Sequence, residues 1–248
     1  MVVQSPVAYT TSIGIAVVSC AAYCVAARLR PGPWVLAAAR GLGVLMVAGA
    51  VSSLVSPVIL GDWSVRADLP LYVCDVAVWV AAAAFWWQTP ILYELTYFWG
   101  LAGATLAVAT PTYSAPFPEV GFMQYAVVHL GLVMAAVITV VALKQWPRPG
   151  AVARVFVATC LLTVVAGIVD AITGANYQYL RHPPGEATLL QVLGPWPWYV
   201  LSATGVGLVL LMALNAPFWW MRRAGQRAAA RPDAGRESRP ERDRSSRP

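Results

Sequence analysis

The feature that most constrains this chain is a series of long apolar segments separated by proline, glycine and polar breaks. The seven segments cover residues 7–27, 34–60, 70–87, 91–109, 120–142, 152–172 and 197–217. A helix needs about 20 mostly apolar residues to cross a bilayer. Breaks such as Arg-Pro-Gly and Trp-Pro-Arg-Pro-Gly are typical of turns. The sequence therefore predicts an all-α membrane protein with seven transmembrane helices in one domain, residues 1–223.

The charged residues are few and unevenly placed. They make up 11% of the 248 residues, against about 25% in soluble domains. Nine arginines and four acidic residues lie from Arg222 onward, so the net charge of +6 is largely a property of the tail. Residues 224–248 contain almost no bulky apolar side chain, which predicts a disordered basic tail. We expect this tail to meet anionic lipid headgroups rather than nucleic acid.

The positive charges also predict an orientation. Arg28 and Arg30 follow the first segment, Lys144 and Arg148 follow the fifth, and the arginine-rich tail follows the seventh. Only an odd number of crossings such as seven brings these three places to the same side, and positive residues favour the cytoplasm. The N-terminus is therefore expected outside and the C-terminus inside. The loops 61–69, 110–119 and 173–196 then face outward.

Polar residues within or next to the apolar segments gather toward the predicted outer side. They are Cys74, Asp75, Gln124, His129, Asp170, Asn176 and Tyr177. An ionisable residue in such a segment is a functional-site hypothesis. A thiolate is a nucleophile that a neighbouring histidine can activate, so Cys74 and His129 could form an acyl-transfer pair.

Structural roles, without any catalytic function, remain open alternatives at several of these positions. His129 could be held by a structural hydrogen bond, and Asp75 could pair with Arg66 or reach water. Buried cysteines behave as small apolar residues, and Cys20, Cys24 and Cys160 are interpreted in that way.

Several chemistries are disfavoured by what the sequence lacks. The single lysine, Lys144, lies in a predicted loop, so a retinal Schiff base within a helix is disfavoured. There is no GxSxG, P-loop or dinucleotide motif, and no CxxC or Cys/His spacing typical of zinc. We therefore expect neither a cofactor nor a metal.

Five stretches carry a resemblance to a known family. They are LPLYVCDVAVW (69–79), YFWGLAGATLAVATP (97–111), FMQYAVVHLGLV (122–133), ANYQYL (175–180) and LLQVLGPWPWYVL (189–201). In this order they closely resemble the YwaF-like family of bacterial integral membrane proteins. The resemblance implies a multi-pass protein of the bacterial plasma (inner) membrane.

The vertebrate relative of that family is described as a glycerophospholipid acyltransferase with a membrane-embedded cysteine and histidine. Carried over by motif, these residues are Cys74 and His129. The resemblance thus implies an acyltransferase or lipid hydrolase acting on a membrane phospholipid or other acyl lipid. On this hypothesis Asp75, Asn176 and Tyr177 are expected to orient the base or bind a headgroup. Gln124 and Asp170 are candidates for the same role by their position. This chain has Tyr72 where family members often have histidine, and Val128 where they often have serine.

Two other functions remain open on the sequence alone. A transporter or ligand-binding membrane protein predicts a polar cavity that continues past midspan toward Glu94 and Arg40. A structural or assembly subunit would act through the arginine-rich tail.

Overall fold

The computed structural model describes residues 5–111, 115–184 and 189–229, and within these ranges the regular structure is entirely helical. The helices are α1 (Pro6–Leu29), α2 (Pro33–Leu60), α3 (Val73–Trp87), α4 (Pro90–Trp99), a π segment (Gly100–Ala104), α5 (Thr105–Ala109), α6 (Val120–Val141), α7 (Ala151–Thr173), a 3₁₀ turn (Tyr177–Tyr179), α8 (Leu189–Val192) and α9 (Trp198–Ala229). The predicted all-α architecture is confirmed.

Six of the described helices are long and apolar enough to cross a membrane. They are Pro6–Leu29, Pro33–Leu60, Pro90–Ala109, Val120–Val141, Ala151–Thr173 and Trp198–Arg227. The third predicted span corresponds to α3, a shorter apolar helix of 15 residues. At 1.5 Å per residue it is about 22 Å long, less than the roughly 30 Å of a hydrocarbon core.

Two boundaries differ from those predicted. The third segment was expected from residue 70, but α3 begins at Val73. The residues just before it are hydrogen-bonded to Tyr177 and Gln178 in the loop after α7. The basic tail was expected from Ala224, but α9 continues to Ala229, through alanines that favour helix. The remainder of the predicted tail, and residues 112–114 and 185–188 of two predicted loops, lie outside the described residues.

Hydrogen bonds near the helix ends show which of them lie together at each end of the bundle. At the end we call the long-loop end, Tyr9 Oη donates to Val108 O (2.8 Å) and Arg66 Nε donates to Thr173 O (2.9 Å). At the opposite end, which we call the arginine-rich end, Arg222 donates to Pro147 O (2.9 Å). With the short helix α3 counted between α2 and α4, successive helices therefore run in alternating directions through the bundle.

A buried carboxylate ties the arginine-rich end together. Glu94, in the first turns of α4, is 2% exposed. One of its carboxylate oxygens accepts from Arg148 Nε (2.9 Å) and Arg154 Nη2 (2.8 Å), and the other accepts from Arg154 Nε (2.9 Å). Charge-assisted bonds of this kind are the strong ones. They hold the start of α4 against the start of α7 and the loop before it.

The centre of the bundle is α6, which packs against α1, α2, α3 and the α4–α5 helix. The π segment approaches the backbone of α6 closely. A Cβ on Gly100 would lie 2.6 Å from Leu132 O and 2.8 Å from Ala136 Cβ, so a side chain has no room there. Local π segments are frequent at functional sites, and this one runs beside the first turn of α3.

Candidate functional site

Cys74 and His129 line one cavity of about 590 Å³ near the long-loop end. We call it the main cavity. Its lining includes the aromatic side chains of Tyr72, Tyr125 and Tyr179. The residues come from α3, the end of the α4–α5 helix, α6, the loop after α7, and α9. The fold thus brings together a thiol and an imidazole that are 55 positions apart in the chain.

The position of Cys74 follows from the way α3 begins. Asp75 Oδ2 accepts a hydrogen bond from Tyr72 N (3.1 Å), which is the carboxylate half of a capping box. Asp75 N and Val76 N donate back to Tyr72 O (3.0 and 3.3 Å). Cys74 is therefore in the first helical turn, and its Sγ is 3.8 Å from the position of a Cβ on Gly103. The thiol lies where the π segment passes α3.

His129 is held in a defined orientation. Its Nδ1 is 3.0 Å from Tyr125 O, and a carbonyl oxygen can only accept, so Nδ1 carries the hydrogen. In the neutral ring Nε2 then has the free lone pair and can serve as a base. The Tyr125 ring lies against the imidazole with 4.1 Å between centroids, and Tyr125 Oη donates to Ala107 O (2.6 Å). This contact and these hydrogen bonds fix the plane of the ring.

A second, smaller cavity of about 300 Å³ adjoins the main cavity, and Tyr72, Asp75, Tyr125 and His129 line both. Gln124 lines the smaller one. Asp75 therefore caps α3 and also lines both of the cavities that His129 lines. The sequence suggested Arg66 as a partner for the Asp75 carboxylate. In the structure this carboxylate caps α3, and Arg66 Nε donates to Thr173 O instead.

The Gln124 side chain links helices α6 and α2 by hydrogen bonds. Its Nε2 donates to Ser52 Oγ (2.8 Å) and Ser56 Oγ (2.9 Å) of α2. Since both of these bonds link α6 to α2, the side chain holds the wall of the smaller cavity.

Three other predicted site residues lie outside the lining of these two cavities and organise the loop after α7. Asp170 is 1% exposed and its Oδ1 accepts from Tyr177 N (2.8 Å). Asn176 Oδ1 accepts from the amides of Arg181 and His182 (2.9 and 3.2 Å). Tyr177 Oη donates to Val65 O and accepts from Leu69 N, both at 2.9 Å. Their contacts hold the loop after α7, which contributes Tyr179 to the lining of the main cavity.

Sequence reasoning did not select the tyrosines of the main cavity. Tyr72 lies just before α3, and burial raises the pKa of its phenol to about 12, so it remains a neutral O–H group at physiological pH. Tyr179 and its neighbour Gln178 both have left-handed backbone conformations, with φ of 57° and 53°. Such conformations are uncommon for residues other than glycine and cluster at functional sites. The family motif ANYQYL contains both residues, and this motif was the signal in the sequence that could have identified them as site residues.

Metal binding has no candidate cluster here, since no group of three or more His, Cys, Asp or Glu side chains suited to an ion occurs in the described part of the chain.

The fold and this cavity define a polytopic α-helical membrane protein with a thiol and an imidazole at one end of its bundle. A sequence model of the TMEM164 family matches residues 3–215, and the chain belongs to that family. No curated protein sequence and no solved structure gives a significant match.

Proposed function

We propose that this protein is an intramembrane acyl-transfer enzyme in which Cys74 is the nucleophile and His129 the general base. The observation that carries the proposal is their shared cavity, together with a hydrogen bond that leaves Nε2 as the basic nitrogen of His129. The substrate is an acyl ester of a membrane lipid. The acceptor is a lysolipid hydroxyl or water, which distinguishes a transferase from a hydrolase.

The chemistry has two balanced steps. In the first, the Cys74 thiol gives its proton to His129 Nε2, and sulfur forms a bond to the ester carbonyl carbon. The C–O bond of the ester breaks, and the leaving hydroxyl of the lysolipid takes the proton from the imidazolium. In the second, His129 removes the proton of the acceptor hydroxyl, whose oxygen attacks the thioester. The C–S bond breaks and the proton returns to sulfur.

The start of α3 supports this chemistry electrostatically. The first N–H groups of a helix lack acceptors within it, and the N-terminal end carries a partial positive charge. Asp75 and Val76 N–H are bound to Tyr72 O, so the amides of Val73 and Cys74 are the candidate donors to a tetrahedral oxyanion. Such preorganised donors are usually the largest catalytic contribution in acyl transfer.

The proposed membrane arrangement has seven crossings, with α3 as the short third one. Arginines and the single lysine crowd the arginine-rich end, including Arg28, Lys144 and Arg148, which suits the cytoplasmic side. The main cavity then lies in the outer half of the bundle. That location suits a lipid ester, because ester groups lie at the edge of the hydrocarbon layer.

Acyl transfer is preferred over transport because the polar residues toward the arginine-rich end are engaged elsewhere. Neither Arg40 nor Glu94 is part of the main cavity's lining. Glu94 is bound by two arginines, and Arg40 Nε donates to Phe85 O (3.1 Å). A polar route from His129 toward these two residues therefore has no support in their contacts.

The test is the acyl-enzyme. The purified chain in nanodiscs is incubated with a phosphatidylcholine that carries an alkyne-tagged acyl chain, and the thioester is measured by tryptic mass spectrometry and by its sensitivity to hydroxylamine. We expect a tagged Cys74 peptide in the parent, none in Cys74→Ala, and a rate lower by about 10²–10⁴-fold in His129→Gln. Cys24→Ala, which changes a buried thiol of α1, is the matched control. Tagging that persists in Cys74→Ala, or an equal rate in His129→Gln, would refute the assignment.

A further inference from the structure

A third cavity, of about 460 Å³, lies between the α4–α5 helix, α7 and α9. We call it the apolar sleeve. It extends along α9 from Tyr199 to Leu211 and reaches Trp99 and Phe156 on its other walls. Nothing in the proposed two-step chemistry uses this space.

The sleeve adjoins the main cavity. Leu106, Tyr179 and Gly207 are among the residues that line both. Gly103 also lines the sleeve, and it is the residue whose Cβ position is 3.8 Å from Cys74 Sγ. An acyl group attached to that sulfur is therefore within contact distance of the sleeve's wall.

The polar side chains of the sleeve are already paired with other protein groups. Trp99 Nε1 donates to Thr159 Oγ1 (2.8 Å) and Thr163 Oγ1 donates to Gln178 Oε1 (2.9 Å). Tyr199 Oη donates to Tyr179 O (2.5 Å). Unpaired polar groups would make an apolar occupant costly, and here these bonds remove that cost. Such a surface suits hydrocarbon.

Access and size fit the same occupant. Val164 lines the sleeve and is 58% exposed, and a Cβ on Gly207 would meet nothing within 4 Å, so a chain can enter sideways from the bilayer. A water molecule takes about 30 Å³ in the liquid, and a methylene group is of similar size. The cavity of about 460 Å³ is many times larger than one methylene group, so the sleeve has room for a long hydrocarbon chain.

We infer that the apolar sleeve binds the hydrocarbon chain of a long-chain acyl substrate while its carbonyl lies at Cys74. The inference rests on the proposed function, and it names the substrate class as long-chain acyl esters. Phe156, at the end of the sleeve nearest the arginine-rich end, limits the length of chain that fits.

The binding test uses photo-crosslinking, which does not depend on turnover. Nanodiscs contain a palmitoyl phosphatidylcholine with a diazirine at the terminal carbon of the chain. We expect adducts on the side chains of Phe156 and Leu211, assigned to single residues by fragment-ion sequencing, in the parent and in Cys74→Ala alike. Gly207→Leu fills the junction, and the adducts fall about tenfold or more, the effect of overpacking an apolar site. Gly205→Leu is the matched control, because a Cβ there also meets nothing within 4 Å and lies outside the sleeve's lining.

The chain-length test uses acylation of Cys74 by butyryl, octanoyl, palmitoyl and arachidoyl esters. Gly207→Leu is expected to lower acylation by the palmitoyl and arachidoyl esters about tenfold more than acylation by the butyryl ester. A monodisperse size-exclusion peak checks separately that the variant folds. Phe156→Ala is expected to shift the preference toward arachidoyl. Adducts confined to lipid-facing residues such as Val157, or a chain-length profile unchanged by Gly207→Leu, overturn the inference. If no ester acylates Cys74 while the sleeve adducts persist, the proposed function is refuted and chain binding in the sleeve is supported.

Discussion

Replacing Gly100 by alanine tests a close contact between the π segment and the backbone of α6. The added Cβ would lie 2.6 Å from Leu132 O and 2.8 Å from Ala136 Cβ, distances that real Cβ atoms essentially never show. Leu132 O belongs to the backbone of α6 and cannot rotate away, so the two helices must separate by several tenths of an ångström. Gly205→Ala is the reference, because its Cβ meets nothing within 4 Å. Both variants gain similar helix propensity, and the difference between them isolates the overpacking, about 1–3 kcal/mol.

For a domain of this size that difference corresponds to about 2–12 °C in Tm. The measurement is loss of the monodisperse size-exclusion peak after heating in detergent, at one heating rate because unfolding of such proteins is often irreversible. Leu132 follows His129 by one turn of α6, so Gly100→Ala is also expected to slow acylation of Cys74. Equal Tm values for Gly100→Ala and Gly205→Ala would refute the close contact on which this reasoning depends.

Two further substitutions test the supports of the site. Glu94→Gln removes a buried charge from between two arginines and is expected to lower the free energy of unfolding by about 1–3 kcal/mol. The control Glu119→Gln, at an exposed position, is expected to change it by less than about 0.5 kcal/mol. Equal melting curves for these two variants would contradict the proposed strength of the ion pairs. Tyr177→Phe removes the hydroxyl that donates to Val65 O and accepts from Leu69 N, so the Leu69 amide should exchange with deuterium faster, and unchanged protection in hydrogen-exchange mass spectrometry would argue against this anchor.

The helices could be predicted because their signal is local. Apolar runs and Pro/Gly breaks located most helix boundaries to within a few residues, since those residue types act on the chain where they stand. The start of α3 could not be located in this way. Leu69 to Tyr72 are as apolar as a helix requires, but Leu69 N is bound by Tyr177 Oη and Leu71 O by Gln178 Nε2. Both partners lie more than 100 positions away in the chain, so no local pattern contains them.

The candidate site shows the same division. The side chains of Cys74 and His129 stand out by residue type, as ionisable groups in apolar segments. The tyrosines do not, because Tyr72, Tyr125 and Tyr179 resemble the interfacial aromatic residues of any membrane protein. Their places in the main cavity depend on loop conformation and helix contact. The resemblance to a family supplied the motifs, and it supplied no geometry.

The π segment sets the rotational phase of everything that follows it in its helix. Each residue of an α-helix advances the side chains by about 100°, and a π turn holds an additional residue. If the same residues formed a regular α-helix, with no π turn, α5 would be turned by about that angle. The carbonyls of Ala107 and Val108, which accept the hydroxyls of Tyr125 and Tyr9, would then face other neighbours. The one additional residue in Gly100–Ala104 thus sets the rotation of the helix on its two sides. Before it, Trp99 faces α7, and after it, α5 faces Tyr125, whose ring lies against the His129 imidazole.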